Sequence, residues 1–152
     1  MTLTEDEFTK ETVEYIRKAD DEQRKERGQY FTPRSVREKL ADALFPRDDG
    51  LRTDPHVLDP ACGTGGFLVN VLEHVRDHYI KTKEDEDNLQ SSIYGTELKP
   101  LPYMLAVTNM MLHGVESPEN IKRDDTLAKP LTDYTPKDRV DVVVTNPPFG
   151  AS

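Results

Sequence analysis

The sequence predicts an α/β fold, a parallel sheet with helices on its faces, preceded by an N-terminal helix. Three observations carry that expectation. Short apolar runs alternate with segments of helical apolar spacing. A glycine-rich loop at 60–66 joins one such run directly to a helix. Polar residues also stand at the end of each run (Asp59, Glu97, Asp125 and Asn146), the edge at which open parallel sheets bind ligands.

The elements follow in order. Thr4-Glu5-Asp6-Glu7 reads as a capping box that opens a first helix, with Phe8, Val13, Tyr15 and Ile16 on an uneven apolar side. That segment becomes strongly polar over 20–27 and stops near Gly28. Thr32 is expected to cap a second helix, with Pro33 as its first residue and Val36, Leu40, Ala43 and Leu44 on its buried face. A turn at 46–50 leads to a buried strand at 56–59, the glycine loop, and a helix at 67–79 with Phe67, Leu68, Val71, Leu72 and Val75 inward. The charged stretch 81–90 reads as a solvated loop. A strand at 92–96 ends at Glu97, and 101–113 is a helix with Met104, Met110 and Met111 in its core. A short strand at 120–122 precedes a loop at 129–137 that holds two prolines. The clearest strand, 140–145, runs into Asn146-Pro147-Pro148-Phe149.

The totals bound the function. The 152 residues suit one domain with a modest core, since only 35% are hydrophobic and 32% are charged. Twenty Lys and Arg stand against 29 Asp and Glu, a net charge of −9. Affinity for nucleic acid comes largely from basic groups on phosphates, so this chain is not held to DNA by its overall charge. If DNA is the substrate, the binding surface is expected on another segment or a partner subunit, or the source lives at high salt. The single cysteine, Cys62, permits no intrachain disulfide and fits a reducing cytoplasm. No apolar run reaches the roughly 20 residues of a membrane span. His56, His74, His78 and His113 show no metal-ligand spacing, so no metal is expected.

Asp59-Pro60-Ala61-Cys62-Gly63-Thr64-Gly65-Gly66-Phe67 is a strand, glycine loop and helix in one run. Its glycines allow a ligand close to the backbone, and the spacing is not the G-x-G-x-x-G of a dinucleotide site. An acid at the strand end suits a cationic ligand, and S-adenosyl-L-methionine carries both an ammonium and a sulfonium. Glu97 is placed to accept both ribose hydroxyls, against the plainer reading of a solvated charge before a helix. Asp125 is placed to accept from the ligand's adenine amine; Asp124 competes for that role, and a turn-forming Asp is the plainer alternative.

Asn146-Pro147-Pro148-Phe149 carries the sharpest chemistry. The exocyclic amine of adenine is a poor nucleophile because its lone pair is spread into the ring. Acceptance of its two N–H groups by the Asn146 side-chain oxygen and the Pro147 carbonyl would draw the nitrogen toward tetrahedral geometry. The two prolines stiffen the turn, and Phe149 offers a face for a base flipped from the duplex. Positioning and electrostatics then carry the transfer without a separate nucleophile.

On these residues the chain resembles the modification subunits of type I restriction systems and related adenine-N6 DNA methyltransferases, over about 28–150. The resemblance implies a Rossmann-like S-adenosylmethionine-dependent methyltransferase fold. Gly28-Gln29-Tyr30-Phe31-Thr32-Pro33 resembles the family's N-terminal cofactor motif. The resemblance gives Thr32 to the methionine carboxylate, and Tyr30 and Phe31 to the pocket lining. It gives Asp59, Ala61, Gly63, Thr64, Gly65, Gly66 and Phe67 to the methionine end, Glu97 to the ribose and Asp125 to the adenine. Asn146, Pro147, Pro148 and Phe149 would hold and stack the target base. The implied function is transfer of a methyl group to adenine N6 in DNA within a restriction-modification system.

Family members continue well past Asn-Pro-Pro-Phe, whereas this sequence stops three residues later, at Ser152. The expectation is a fold incomplete at the C-terminus: 1–27 a helical segment, 28–152 the first part of the methyltransferase domain. A fragment, a truncated gene or one piece of a split enzyme fits, with a specificity subunit or a missing C-terminal region to read DNA. The strand bearing Asn146 would then be an unpaired edge. Other readings are a methyltransferase acting on guanine N2 in RNA or on a protein glutamine, and an inactive cofactor-binding fragment.

Overall fold

The computed structural model describes residues 32–45 and 54–147. The predicted first helix and the turn at 46–50 lie outside the described residues. The rest forms one compact unit, Thr32–Pro147.

Four strands, β1 (Val57–Asp59), β2 (Ile93–Glu97), β3 (Ile121–Arg123) and β4 (Val142–Val143), form a sheet in the order β3-β2-β1-β4. Every pairing is parallel: Val57 faces Ile93 and Val142, Asp59 faces Gly95, and Glu97 faces Arg123. All four carboxyl ends therefore open on one edge. The helices are α1 (Arg34–Leu44), α2 (Gly66–Tyr79), α3 (Lys83–Ser92) and α4 (Pro100–Leu112).

The α/β expectation holds, and α2 explains why. Its inward residues Phe67, Leu68, Val71, Leu72 and Val75 are buried against Val57, Ile93 and Ile121 of the strands. Side chains at this spacing share one helix face and cover the sheet. The fit is close enough to dictate a residue on β2. A Cβ at Gly95 would lie 2.8 Å from Leu68 Cδ1 and 3.0 Å from Ile121 Cδ1, so any larger residue forces these packed side chains to shift.

Four expectations need correction. The stretch 81–90 is largely helix α3 rather than a loop. Thr82 and Asp85 close a reciprocal capping box, with bonds of 3.1 and 2.9 Å. Glu84, Asp85 and Glu86 complement the positive end of the helix dipole. Arg76 of α2 grips Glu86 through two nitrogens, and Leu89 is fully buried.

Second, α1 begins after Pro33, which occupies the capping position without a side-chain cap, while the Thr32 hydroxyl is used elsewhere. Third, the buried face of α1 runs through Ala41 to Phe45; Val36, Leu40, Ala43 and Leu44 are exposed. Two bonds to the Phe45 carbonyl, from His74 at 2.9 Å and from the Tyr79 hydroxyl at 3.1 Å, hold that end against α2. Fourth, of the α4 methionines only Met110 is core. Met104 and Met111 lie on an outward apolar stripe with Leu101, Leu105 and Leu112.

Over 140–145 the regular ladder is only two residues long, although Asp141 and Val142 both donate to the His56 carbonyl and Val144 donates to Leu58. The proline-bearing loop after β3 contains two 3-10 turns, Leu131–Asp133 and Pro136–Asp138. No helix among the described residues is long and apolar enough to cross a membrane.

Candidate active site

The parallel register carries Asp59, Glu97, Asp124 and Thr145 to one edge of the sheet. Hydrogen bonds then tie these strand tips to one another.

Asp59 is almost completely buried. It accepts from the Ala61 N–H at 3.1 Å and from the Thr145 side chain. Burial raises its pKa from 3.8 to about 6, with the nearby Glu97 adding to the rise and the two hydrogen bonds opposing it. A buried carboxylate with no cation beside it among the described residues favours a positively charged ligand.

Glu97 holds the loop rather than hanging in solvent. Its Oε2 accepts from the Gly63 N–H at 2.9 Å and its Oε1 from the Lys99 N–H at 2.8 Å. Each carboxylate oxygen has capacity for a second donor, so this arrangement fixes the carboxylate and still suits a pair of ribose hydroxyls. The loop is also bonded to β2 through the Cys62 N–H and the Thr96 carbonyl, at 2.9 Å. Cys62 itself is packing: burial, with the charges of Asp59 and Glu97, pushes its thiol up to about 12.

The chain turns into α2 at Gly65, whose φ of +80° lies in the left-handed region that favours glycine. Phe67 is buried in the core, so what it offers a ligand is its backbone N–H rather than its ring. Asp124 donates its N–H to the Glu97 carbonyl at 3.2 Å, and Asp125 accepts from the Leu127 N–H at 3.0 Å in a side-chain-closed turn. Both acids are exposed. Thr126 anchors this turn by donating to the Pro60 carbonyl at 2.7 Å.

On the other side of β1, Asn146 is half-buried and donates its side-chain amide to Thr32 Oγ1 at 3.1 Å. Thr32 and Asn146 thus meet directly. Tyr30, Phe31, Pro148 and Phe149 lie outside the described residues. Among the described residues no cluster of three or more His, Cys, Asp or Glu has metal-site geometry.

Six of the described candidates fall into two linked groups, while Asp125 stands apart in its own exposed turn. Asp59, Ala61, Gly63 and Glu97 form one, and Thr32 with Asn146 the other. Thr145 joins them, because it hydrogen-bonds Asp59 and precedes Asn146 in the chain. Sequence reasoning missed Thr145 and Thr126. Their only signal was a polar residue just after an apolar run.

Comparison with known proteins agrees with this fold. The family model for N-6 DNA methylase matches residues 5–152. The chain is 47% identical over 125 residues to the type I restriction enzyme EcoEI methylase subunit of Escherichia coli, covering 82% of this chain and 24% of that protein. It is 34% identical to the MjaIX methylase subunit of Methanocaldococcus jannaschii, over 82% of this chain and 19% of the relative. A crystal structure described as that of a type I modification subunit from Vibrio vulnificus superposes with a TM-score of 0.73 at 40% identity, covering 99% of this chain and 30% of that one. The EcoKI M protein superposes at 0.64 with 29% identity, over 80% of this chain and 26% of that one. The sheet is that of the methyltransferase fold, and the chain spans about a quarter of the length of these relatives. With the family model running over nearly the whole sequence, the chain belongs to the N-6 DNA methylase family.

Proposed function

We propose that this chain supplies the cofactor site and the amine-holding turn of an adenine-N6 DNA methyltransferase in a restriction-modification system, with residues 28–152 as the first part of the catalytic domain. The supporting observation is the linked edge of the sheet: Glu97 holds the Gly63 N–H of the loop that follows Asp59, Thr145 hydrogen-bonds Asp59, and Asn146, next to Thr145 in the chain, is held by Thr32.

S-adenosyl-L-methionine fits this donor set and supplies an electrophilic methyl group on a sulfonium. Asp59 meets the cationic methionine end, where a buried carboxylate has no counter-charge among the described residues. Gly63, Thr64, Gly65 and Gly66 bring backbone close to it, with Ala61 and the Phe67 N–H completing the loop. Glu97 takes the ribose and Asp125 the adenine ring. Asn146 and Pro147 accept the two N–H groups of the target amine; Tyr30, Phe31, Pro148 and Phe149 keep the roles that the sequence resemblance implies for them. The Asn146 side-chain amide donates to the Thr32 hydroxyl, which orients the side chain in this reading.

The net charge of −9 supports a partner that reads and grips DNA, either a specificity subunit or further sequence of the same protein. A DNA substrate places the reaction in the cytoplasm. Relatives named as restriction-enzyme methylases favour DNA over RNA guanine or protein glutamine. Transfer of tritiated methyl groups to DNA, RNA and protein pools by the assembled enzyme tests this, with Asn146→Ala as the control. Label is expected in DNA adenine, and that variant is expected to retain cofactor binding and lose transfer. Label in RNA or protein instead, or undiminished transfer by Asn146→Ala, contradicts the reading.

A further inference from the structure

We propose that Asn109 of α4 and Arg37 of α1 are positioning residues of the cofactor loop, which they grip by its carbonyls on either side of Gly65. The inference rests on the cofactor reading above and adds two residues to it.

Asn109 Nδ2 donates to the Thr64 carbonyl at 3.1 Å. Arg37 Nη1 donates to the Gly66 carbonyl. Between these two peptides stands Gly65, in the left-handed conformation that starts α2. A glycine at such a turn has little intrinsic preference between orientations of its flanking peptides. The two grips choose one. In a trans peptide the N–H points away from the C=O, so holding Thr64 O toward α4 turns the Gly65 N–H back into the loop, where it meets the Cys62 carbonyl at 2.8 Å. Holding Gly66 O against α1 likewise turns the Phe67 N–H the other way, at a helix start where such groups have no partner within the helix.

Neither residue is explained by packing. Asn109 follows Ala106 by three positions, and Ala106 Cα lies 3.4 Å from where a Gly65 Cβ would stand. Met110 beside it is buried, so an apolar side chain at position 109 would continue the core. Arg37 makes a poor stabilising contact. A Cβ at Gly66 would lie 2.5 Å from its Nη1, so the guanidinium packs where a larger residue would displace it, and its buried Nε has no hydrogen-bond partner among the described residues. An arginine held at that cost, with one donor unsatisfied, acts through the carbonyl it fixes.

The test compares two ligands on the 152-residue chain by calorimetry. S-adenosylmethionine needs both the methionine end, at the gripped loop, and the adenosine end, at Glu97 and Asp125. Adenosine needs only the second. For Asn109→Ala and Arg37→Met the affinity for S-adenosylmethionine is expected to fall roughly tenfold, the worth of one positioned hydrogen bond, while that for adenosine changes less than about twofold. Arg37→Lys, which keeps one donor, restores most of the loss. Equal losses for both ligands that track a lower Tm would make the residues merely structural and overturn the proposal, as would unchanged affinity in both variants. Failure of the unaltered chain to bind either ligand would overturn the cofactor reading itself.

Discussion

The Asn146 amide and the Thr32 hydroxyl are joined by a 3.1 Å hydrogen bond across 114 positions of sequence. This bond orients the Asn146 side chain, to which the proposed function gives the substrate amine. Replacement of Thr32 by Val should therefore lower kcat roughly 10- to 100-fold in the assembled enzyme, as expected for a misplaced reactive group. Thr32→Ser should restore it. A rise in the dissociation constant of the cofactor with kcat unchanged would instead make Thr32 a ligand of the methionine carboxylate alone.

Asp59 gives a pH signature. Its pKa is raised from 3.8 to about 6 by burial, so folding favours the protonated acid. That contribution is fully present below about pH 4 and is lost as pH rises through about 6. Urea unfolding of the ligand-free chain should show Asp59→Asn gaining about 1–2 kcal/mol over the unaltered chain between pH 5 and pH 7.5. Cofactor affinity should move the opposite way, weakening as Asp59 protonates below about pH 6. A pH-independent difference between the two chains would contradict this account of the acid.

Cys62, with its thiol pushed up to about 12, should resist iodoacetamide at pH 8 in the folded chain and react only on unfolding. Modification of the folded chain at the rate of a free thiol would show the loop to be open.

Gly95→Ala places a methyl group 2.8 Å from Leu68 Cδ1 on the central face of the sheet. The expected cost is about 1–3 kcal/mol in urea unfolding, typical of an overpacked core. A neutral result would mean that α2 sits further from β2.

Thr82→Ala removes one half of the capping box on α3 and should cost about 1 kcal/mol, with Thr82→Ser retaining most of it. No loss would mean that the Arg76–Glu86 pair alone holds this helix.

Much of this was legible in the sequence, for a physical reason. The tips of parallel strands must carry polar residues wherever they meet a ligand, so Asp59, Glu97 and Asn146 announced the sheet edge that the parallel register shows. The helix α2 was equally plain, because a buried helix against a sheet writes its spacing in apolar residues. Helix α3 was hidden because its signals are polar: a Thr-x-x-Asp box, acids in the first turn and a single buried Leu89. Composition made it resemble a solvated loop. The face of α1 was misread because Val36, Leu40 and Leu44 have helical spacing, yet what docks the helix is Phe45 with its carbonyl. Contacts such as Asn109 to Thr64 and Thr126 to Pro60 join a side chain to a distant carbonyl, and no sequence period encodes such a pair.

The central claim is that separate strand tips share one small molecule. Titration of the isotope-labelled chain with S-adenosylmethionine, followed by the backbone amide resonances of Gly63, Glu97, Asp125 and Asn146, tests it most directly. The account predicts that all four move together and yield one dissociation constant. Shifts confined to one of them, different constants for each, or no change at millimolar ligand would contradict it.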